Sequence, residues 1–77
     1  MRKMPAKFCK QFLELRVSSG LTLSAVAKKC DVFPGTIHNW ENGRTPASSH
    51  LARYMSILGA SDKLMKEVFE FYSSKKI

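Results

Sequence analysis

The 77-residue chain has little of what most enzymes, secreted proteins and membrane proteins require. It has two cysteines, Cys9 and Cys30, with neither CxxC nor CxxH spacing, so we expect buried, reduced thiols rather than a disulfide or a metal site. No run of about 18 apolar residues is present to span a membrane. The start, MRKMPAK, lacks the apolar core of a signal peptide. We therefore expect a cytoplasmic protein.

Acidic residues and catalytic motifs are also scarce. Six Asp and Glu stand against 13 Lys and Arg, which gives a net charge of +7. The sequence has no HExxH motif, Walker loop or carboxylate pair, so we predict no enzyme, no metal or other cofactor and no small-molecule ligand. His50 is interpreted as a surface residue. The charge suggests a polyanionic partner, although solubility alone is an equally good explanation.

Apolar residues recur at helical spacing and predict an all-α fold. Phe8, Phe12 and Leu15, flanked by Cys9 and Leu13, form one stripe of the first helix. No strand pattern occurs, and the chain is predicted to be a single domain of residues 1–77. We predict five helices, at about residues 5–18, 23–30, 34–42, 45–59 and 61–74.

Local sequence signals set the helix ends. Thr22 and Ser61 are predicted N-caps of the second and fifth helices. Pro34 suits the first turn of the third helix, and Gly43 suits the position just after its end. Thr45-Pro46 repeats the cap-then-proline pattern and predicts the start of the fourth helix there.

Residues 21–43 are the most informative segment. They read LTLSAVAKKCDVFPGTIHNWENG, which predicts two short helices with a joint of only a few residues. Such a joint requires a steep crossing, the geometry of a helix-turn-helix, with a core at about residues 22–42. The predicted inward positions are Val26, Ala27, Val32, Ile37 and Trp40.

This spacing resembles that of the lambdoid phage repressors and Cro proteins, the XRE-like helix-turn-helix family. The resemblance covers about residues 8–60 and implies a compact five-helix lambda-repressor-like domain. It also implies a sequence-specific DNA-binding regulator of transcription, such as a small phage or plasmid repressor or a restriction-modification controller. The matching residues are Arg16, Leu21, Thr22, Val26, Ala27, Val32, Ile37, Trp40, Glu41 and Gly43.

The resemblance implies that the third helix enters the major groove of double-stranded DNA. It also implies an ion pair between Arg16 and Glu41, where the alternative is that Arg16 is a free surface cation. For His38 and Asn39 the alternative is an ordinary solvated side chain. The implied base contacts are Phe33, Pro34, Gly35, Thr36, His38 and Asn39. The implied phosphate contacts are Thr22, Leu23, Asn42 and Arg44.

The sequence departs from the family pattern in the turn, where Asp31 stands in place of the usual glycine. Asp tolerates the left-handed region better than most residues, so we expect the turn to form with mild strain.

The family commonly binds inverted-repeat operators as a homodimer. The C-terminal helix, about residues 61–74, is a candidate dimer element through Phe69, Phe71 and Tyr72, supported by Met55 and Met65. The alternative is that this helix only closes the monomer core. A second function, that of an antitoxin or other protein-interaction module that autorepresses its own operon, also fits the sequence.

Overall fold

The computed structural model describes residues 3–73, and in that range the chain contains helices and no strand. The predicted all-α fold of five helices is confirmed. None of these helices is long and apolar enough to cross a membrane. The helices are α1 (Ala6–Ser18), α2 (Leu23–Cys30), α3 (Pro34–Glu41), α4 (Ser48–Leu58) and α5 (Asp62–Ser73).

Two of the helices begin at the predicted side-chain caps. The Thr22 hydroxyl accepts a hydrogen bond from the Ala25 N–H at 3.0 Å. The Ser61 hydroxyl accepts one from the Leu64 N–H at 3.1 Å. Each hydroxyl therefore satisfies an amide that has no partner within its own helix. The predicted end of the fifth helix at residue 74 lies outside the described residues.

The predicted start of the fourth helix at Thr45-Pro46 is wrong, because α4 begins at Ser48 with Ala47 in extended conformation before it. Pro46 is buried, and its carbonyl accepts a hydrogen bond from the Tyr72 hydroxyl. The contact with Tyr72 therefore uses the Pro46 carbonyl, which lies where the sequence predicted the first turn of the fourth helix. The segment between α3 and α4 is therefore packed against α5.

The five helices enclose one hydrophobic core. α2 packs against α3 and α4, and α1 packs against the same two helices. An aromatic cluster lies at the centre, where the Tyr54 ring meets Phe12 at 5.2 Å and Trp40 at 4.8 Å between ring centroids, both edge to face. The predicted inward residues Val26, Ala27, Ile37 and Trp40 are all buried, and Val32 packs against them half-buried.

The expectation for Leu13 is wrong, because its side chain is 38% exposed. The buried stripe of α1 consists of Phe8, Cys9 and Phe12, with Leu15 half-buried at its edge. Leu13 lies about 100° around the helix from Phe12 and so falls outside the face that α3 and α4 cover. Cys9 and Cys30 are buried free thiols, as expected, and burial raises the pKa of both.

Most of the apolar surface of α5 belongs to the monomer core. Leu64 and Val68 are buried, and the Phe71 ring meets Phe8 edge-on at 6.2 Å. Tyr72 is tied to the Pro46 carbonyl. Of the residues predicted for a dimer surface, Met55 is buried, Met65, Phe71 and Tyr72 are half-buried, and Phe69 is exposed. This packing favours the alternative that α5 closes the core.

Candidate nucleic-acid interface

The turn between α2 and α3 sets the angle between the two helices. Asp31 has φ 61° and ψ 44°, so it occupies the left-handed region as expected. The Asp31 N–H donates to the Lys28 carbonyl at 3.3 Å, and the Val32 N–H donates to the Ala27 carbonyl at 3.0 Å. These two bonds close a Schellman motif, which turns the chain sharply after α2.

Phe33 and Pro34 define the start of α3. Proline fixes its own φ and disfavours helical backbone in the residue before it. Phe33 is accordingly extended, with φ −78° and ψ 149°, and makes no side-chain cap. Its ring is 81% exposed. The helix therefore begins with an aromatic side chain in solvent.

The residues predicted to contact bases share one side of α3. The opposite side is buried through Ile37 and Trp40. Thr36 is half-buried at the boundary between the two sides. The exposed members of the predicted set are Phe33, Pro34, Gly35, His38 and Asn39. The structure thus presents these residues together as a continuous face, which we call the α3 front.

An ion pair fixes α3 to α1 from behind. Arg16 donates from Nε to one oxygen of the Glu41 carboxylate and from Nη2 to the other at 3.3 Å. Its Nη1 donates to the Leu21 carbonyl at 2.9 Å. The Arg16 and Glu41 side chains are only 14% and 5% exposed, so Arg16 is not a free surface cation. The forked guanidinium joins α1, the loop after it and the end of α3.

The residues predicted to contact phosphates lie at two places beside α3. At the start of α2, the Thr22 hydroxyl is already engaged as a cap, so the amide groups of the first turn are what this end offers to an anion. Asn42 donates from its side chain to the His38 carbonyl at 2.7 Å, which secures the end of α3. Arg44 is exposed, and its N–H donates to the Asn39 carbonyl at 3.0 Å.

Charge is distributed unevenly over the molecule. Between residues 21 and 60 the exposed basic side chains outnumber the single exposed acid, Asp31, because Glu41 is paired with Arg16. Lys28 and Lys29 are not among the residues predicted from the sequence. Two adjacent lysines near the end of α2, just before the turn, are the sequence signal by which they could have been predicted. The exposed basic residues of this segment are Lys28, Lys29, Arg44 and Arg53.

Behind α3, two side chains differ from simple expectation. His50, interpreted from the sequence as a surface residue, is half-buried with its ring 5.9 Å from that of Trp40. The Tyr54 hydroxyl is buried and makes no hydrogen bond within residues 3–73. Neither group lies on the α3 front.

A steeply turned helix pair with one helix presenting an exposed, positively flanked face defines the class of helix-turn-helix proteins. A sequence profile described as a helix-turn-helix domain matches residues 11–68, and the chain belongs to this family. Among curated proteins, no match to the chain was found. Membership in the family indicates a DNA-binding regulator, and domains of this family are typically not enzymes.

Proposed function

We propose that this protein is a sequence-specific regulator of transcription of the lambdoid repressor and Cro-like (XRE-like) kind, a small repressor that inserts α3 into the major groove of double-stranded DNA. One observation carries the proposal. Ile37, Trp40 and the Glu41–Arg16 pair hold α3 from behind, while the α3 front is left exposed. Base readout requires a helix that is held in place on one side and exposes the other side to the DNA.

Each residue of the α3 front has a distinct chemical role in this proposal. The Asn39 amide suits the N6 and N7 edge of adenine. His38 donates to a guanine acceptor, and Thr36 contacts a base or the backbone nearby. Phe33 and Pro34 supply apolar contacts, and Gly35 lets the α3 backbone approach the base edges closely.

Phosphate contacts on both sides of α3 hold the protein in register. The first amides of α2, at Thr22 and Leu23, bind one phosphate with the help of the positive end of the helix dipole. Asn42 and Arg44 bind the backbone on the other side. These contacts supply affinity that depends on salt and not on sequence.

A single recognition helix reads only a few base pairs, so we propose that two copies bind an inverted repeat with half-sites about 34 Å apart. The protein acts in the cytoplasm, associated with the nucleoid while bound. Regulation by occupancy of an operator needs no ligand in this scheme.

A second candidate function rests on the outer surface of α1. Leu13 and Val17 lie one turn apart there, 38% and 61% exposed. Exposed apolar side chains at this spacing fit a partner protein, and so favour an antitoxin that also autorepresses its operon. Capture of a toxin encoded in the same operon, lost on Val17→Asp, would favour this second function.

The decisive experiment is selection of bound duplexes from a random double-stranded pool. We expect an enriched half-site that recurs in inverted orientation, about 10 base pairs from centre to centre. With Asn39→Ala, the preference at one position of each half-site should relax by about 1–3 kcal/mol while the other positions persist. Enrichment of no motif would contradict the proposal.

A further inference from the structure

The most exposed large apolar side chain of residues 3–73 lies at the start of the proposed recognition helix. Phe33 is 81% exposed, compared with 61% for Val17 and 44% for Phe69. Its backbone is extended, the conformation that a following proline favours. The ring therefore lies at the N-terminal end of α3 with most of its surface in solvent.

The two residues after Phe33 add no side-chain hydrogen-bond donor. Pro34 lacks even a backbone N–H. Gly35 is not required by packing, since a Cβ at this position would meet nothing within 4 Å. The first exposed polar side chain on α3 is that of His38, one turn later. The leading end of α3 is thus an apolar surface on an otherwise polar and basic face.

Among the base edges in the major groove, the apolar group is the C5-methyl of thymine. The occupant of this apolar surface must also suit the exposed cations of the same helix pair, Lys28 and Lys29 in α2 and Arg44 after α3, which match a phosphate backbone. We propose that Phe33, with Pro34 beside it, reads the C5-methyl group of a pyrimidine, carried by thymine or by 5-methylcytosine. This inference rests on the proposed DNA-binding function and names the group that the apolar tip of α3 recognises.

The fold itself gains little from phenylalanine at this position. Phe33 occupies the N-cap of α3 and makes no capping hydrogen bond. At the same position in α2 and α5, Thr22 and Ser61 provide capping hydroxyls. A serine at this site would satisfy an amide of the first turn of α3. We therefore expect Phe33→Ser to raise the melting midpoint by about 4–8 °C while it removes methyl recognition. Opposite effects on stability and on binding separate a recognition role from a structural one.

The test is a set of parallel selections from one random duplex pool, amplified with dTTP, with dUTP in its place, or with 5-methyl-dCTP in place of dCTP. Uracil lacks only the methyl group of thymine, so these pools isolate that group. The proteins are the unmodified chain, Phe33→Ser and, as a matched control, Phe69→Ala. Phe69 is the other exposed phenylalanine within residues 3–73 and lies on α5.

With dTTP we expect the unmodified protein to enrich a motif with a fixed thymine. With dUTP the preference at that position should fall about fourfold, the effect of burying one methyl-sized group, while the rest of the motif persists. With 5-methyl-dCTP, modified cytosine should compete with thymine there if the methyl alone is read. If thymine keeps its preference in that pool, the neighbouring O4 acceptor is read with the methyl group, and the dUTP loss still identifies the methyl contact. Phe33→Ser should show the dUTP motif in every pool, and Phe69→Ala should keep the difference between the dTTP and dUTP motifs that the unmodified protein shows.

A motif that is identical with dTTP and dUTP would overturn methyl recognition and leave the proposed function intact. Absence of any motif in all pools would overturn both. If Phe33→Ser left the motif unchanged and abolished self-association in sedimentation, the ring would be covered by a second copy, which also overturns the inference.

Discussion

α3 and α5 both bury one apolar stripe and both expose a phenylalanine, yet the rest of their side chains are used differently. α5 begins with the Ser61 cap and an acidic first turn and is held near its end by the Tyr72–Pro46 bond. α3 begins without a side-chain cap and leaves its whole front exposed. The two helices also differ in charge, because α5 carries three acids and two lysines, whereas α3 is flanked by exposed cations. The N-cap and the last turn of α5 thus carry side chains that stabilise the fold, whereas the N-cap and the front of α3 carry side chains that face solvent.

Loss of the Arg16–Glu41 pair should produce the largest change, because it is the main polar support of α3. Arg16→Ala leaves a nearly buried Glu41 carboxylate without its partner, and we expect the free energy of unfolding to fall by about 3–5 kcal/mol in urea titrations followed by circular dichroism. The joint replacement Arg16→Met with Glu41→Leu should recover most of this loss, because no buried charge remains.

On α5, the matched control is Glu70→Ala, since Glu70 is exposed and should change stability by less than about 0.5 kcal/mol. An Arg16→Ala loss below about 1 kcal/mol would mean that the pair contributes no more than a surface ion pair.

Arg44→Ala should weaken binding to all sequences alike, because a phosphate contact carries no base information. We expect the slope of log affinity against log salt concentration to become shallower by about 1. The measurement is fluorescence anisotropy with a labelled duplex over a series of salt concentrations. Lys66→Ala removes the same charge from the exposed surface of α5 and should leave the slope unchanged. Equal slopes for the two variants would remove Arg44 from the interface.

Tyr54, which is buried, and Tyr72, which is half-buried, should respond differently to loss of the hydroxyl. Tyr72→Phe removes the bond to the Pro46 carbonyl and should lower the free energy of unfolding by about 1 kcal/mol. Tyr54→Phe removes a buried hydroxyl that has no partner within residues 3–73, so stability should be unchanged or rise. Urea titrations of both variants check the signs, and a clear loss for Tyr54→Phe would contradict the assignment of an unsatisfied hydroxyl.

Tyr72 also makes stability sensitive to alkaline pH. Burial raises the pKa of Tyr72 from 10.0 to about 12, so the folded protein keeps the phenol neutral where the unfolded chain ionises. The resulting stabilisation is present below about pH 10 and is lost as the pH rises towards 12. Burial also raises the pKa of Tyr54, so its ionisation should destabilise the folded protein at alkaline pH as well. Unfolding midpoints measured between pH 9 and 12 should fall less steeply in Tyr72→Phe than in the unmodified protein.

The sequence predicts the fold well where local signals and the apolar pattern agree. Thr22 and Ser61 cap their helices, and Ile37 and Trp40 are buried, because caps and helical spacing are local properties. The Arg16–Glu41 contact spans 25 positions and follows only from the family resemblance.

The predictions that fail depend on tertiary contacts. Pro46 signals a helix start, but its carbonyl is engaged by Tyr72 from α5. Leu13 extends the apolar pattern of α1, but its side chain stays 38% exposed in the folded chain. The same limit applies to the α3 front, because the structure shows which side chains are exposed there, while their contacts with bases stay a prediction.

The smallest expected effect tests the turn that aims α3. Asp31 holds φ 61° at the end of α2, and Gly59 holds φ 73° at the end of α4. Asp31→Gly should raise the free energy of unfolding by about 0.5 kcal/mol, because relief of left-handed strain slightly exceeds the added flexibility of the unfolded chain. Thermal melts should show a rise of about 2–4 °C. Gly59→Asp is the reciprocal control, since a Cβ there meets nothing within 4 Å and only backbone strain is added. It should lower the midpoint. A lower midpoint for Asp31→Gly would mean that the Asp31 side chain itself stabilises the turn, and the strain assigned to the turn would then be absent.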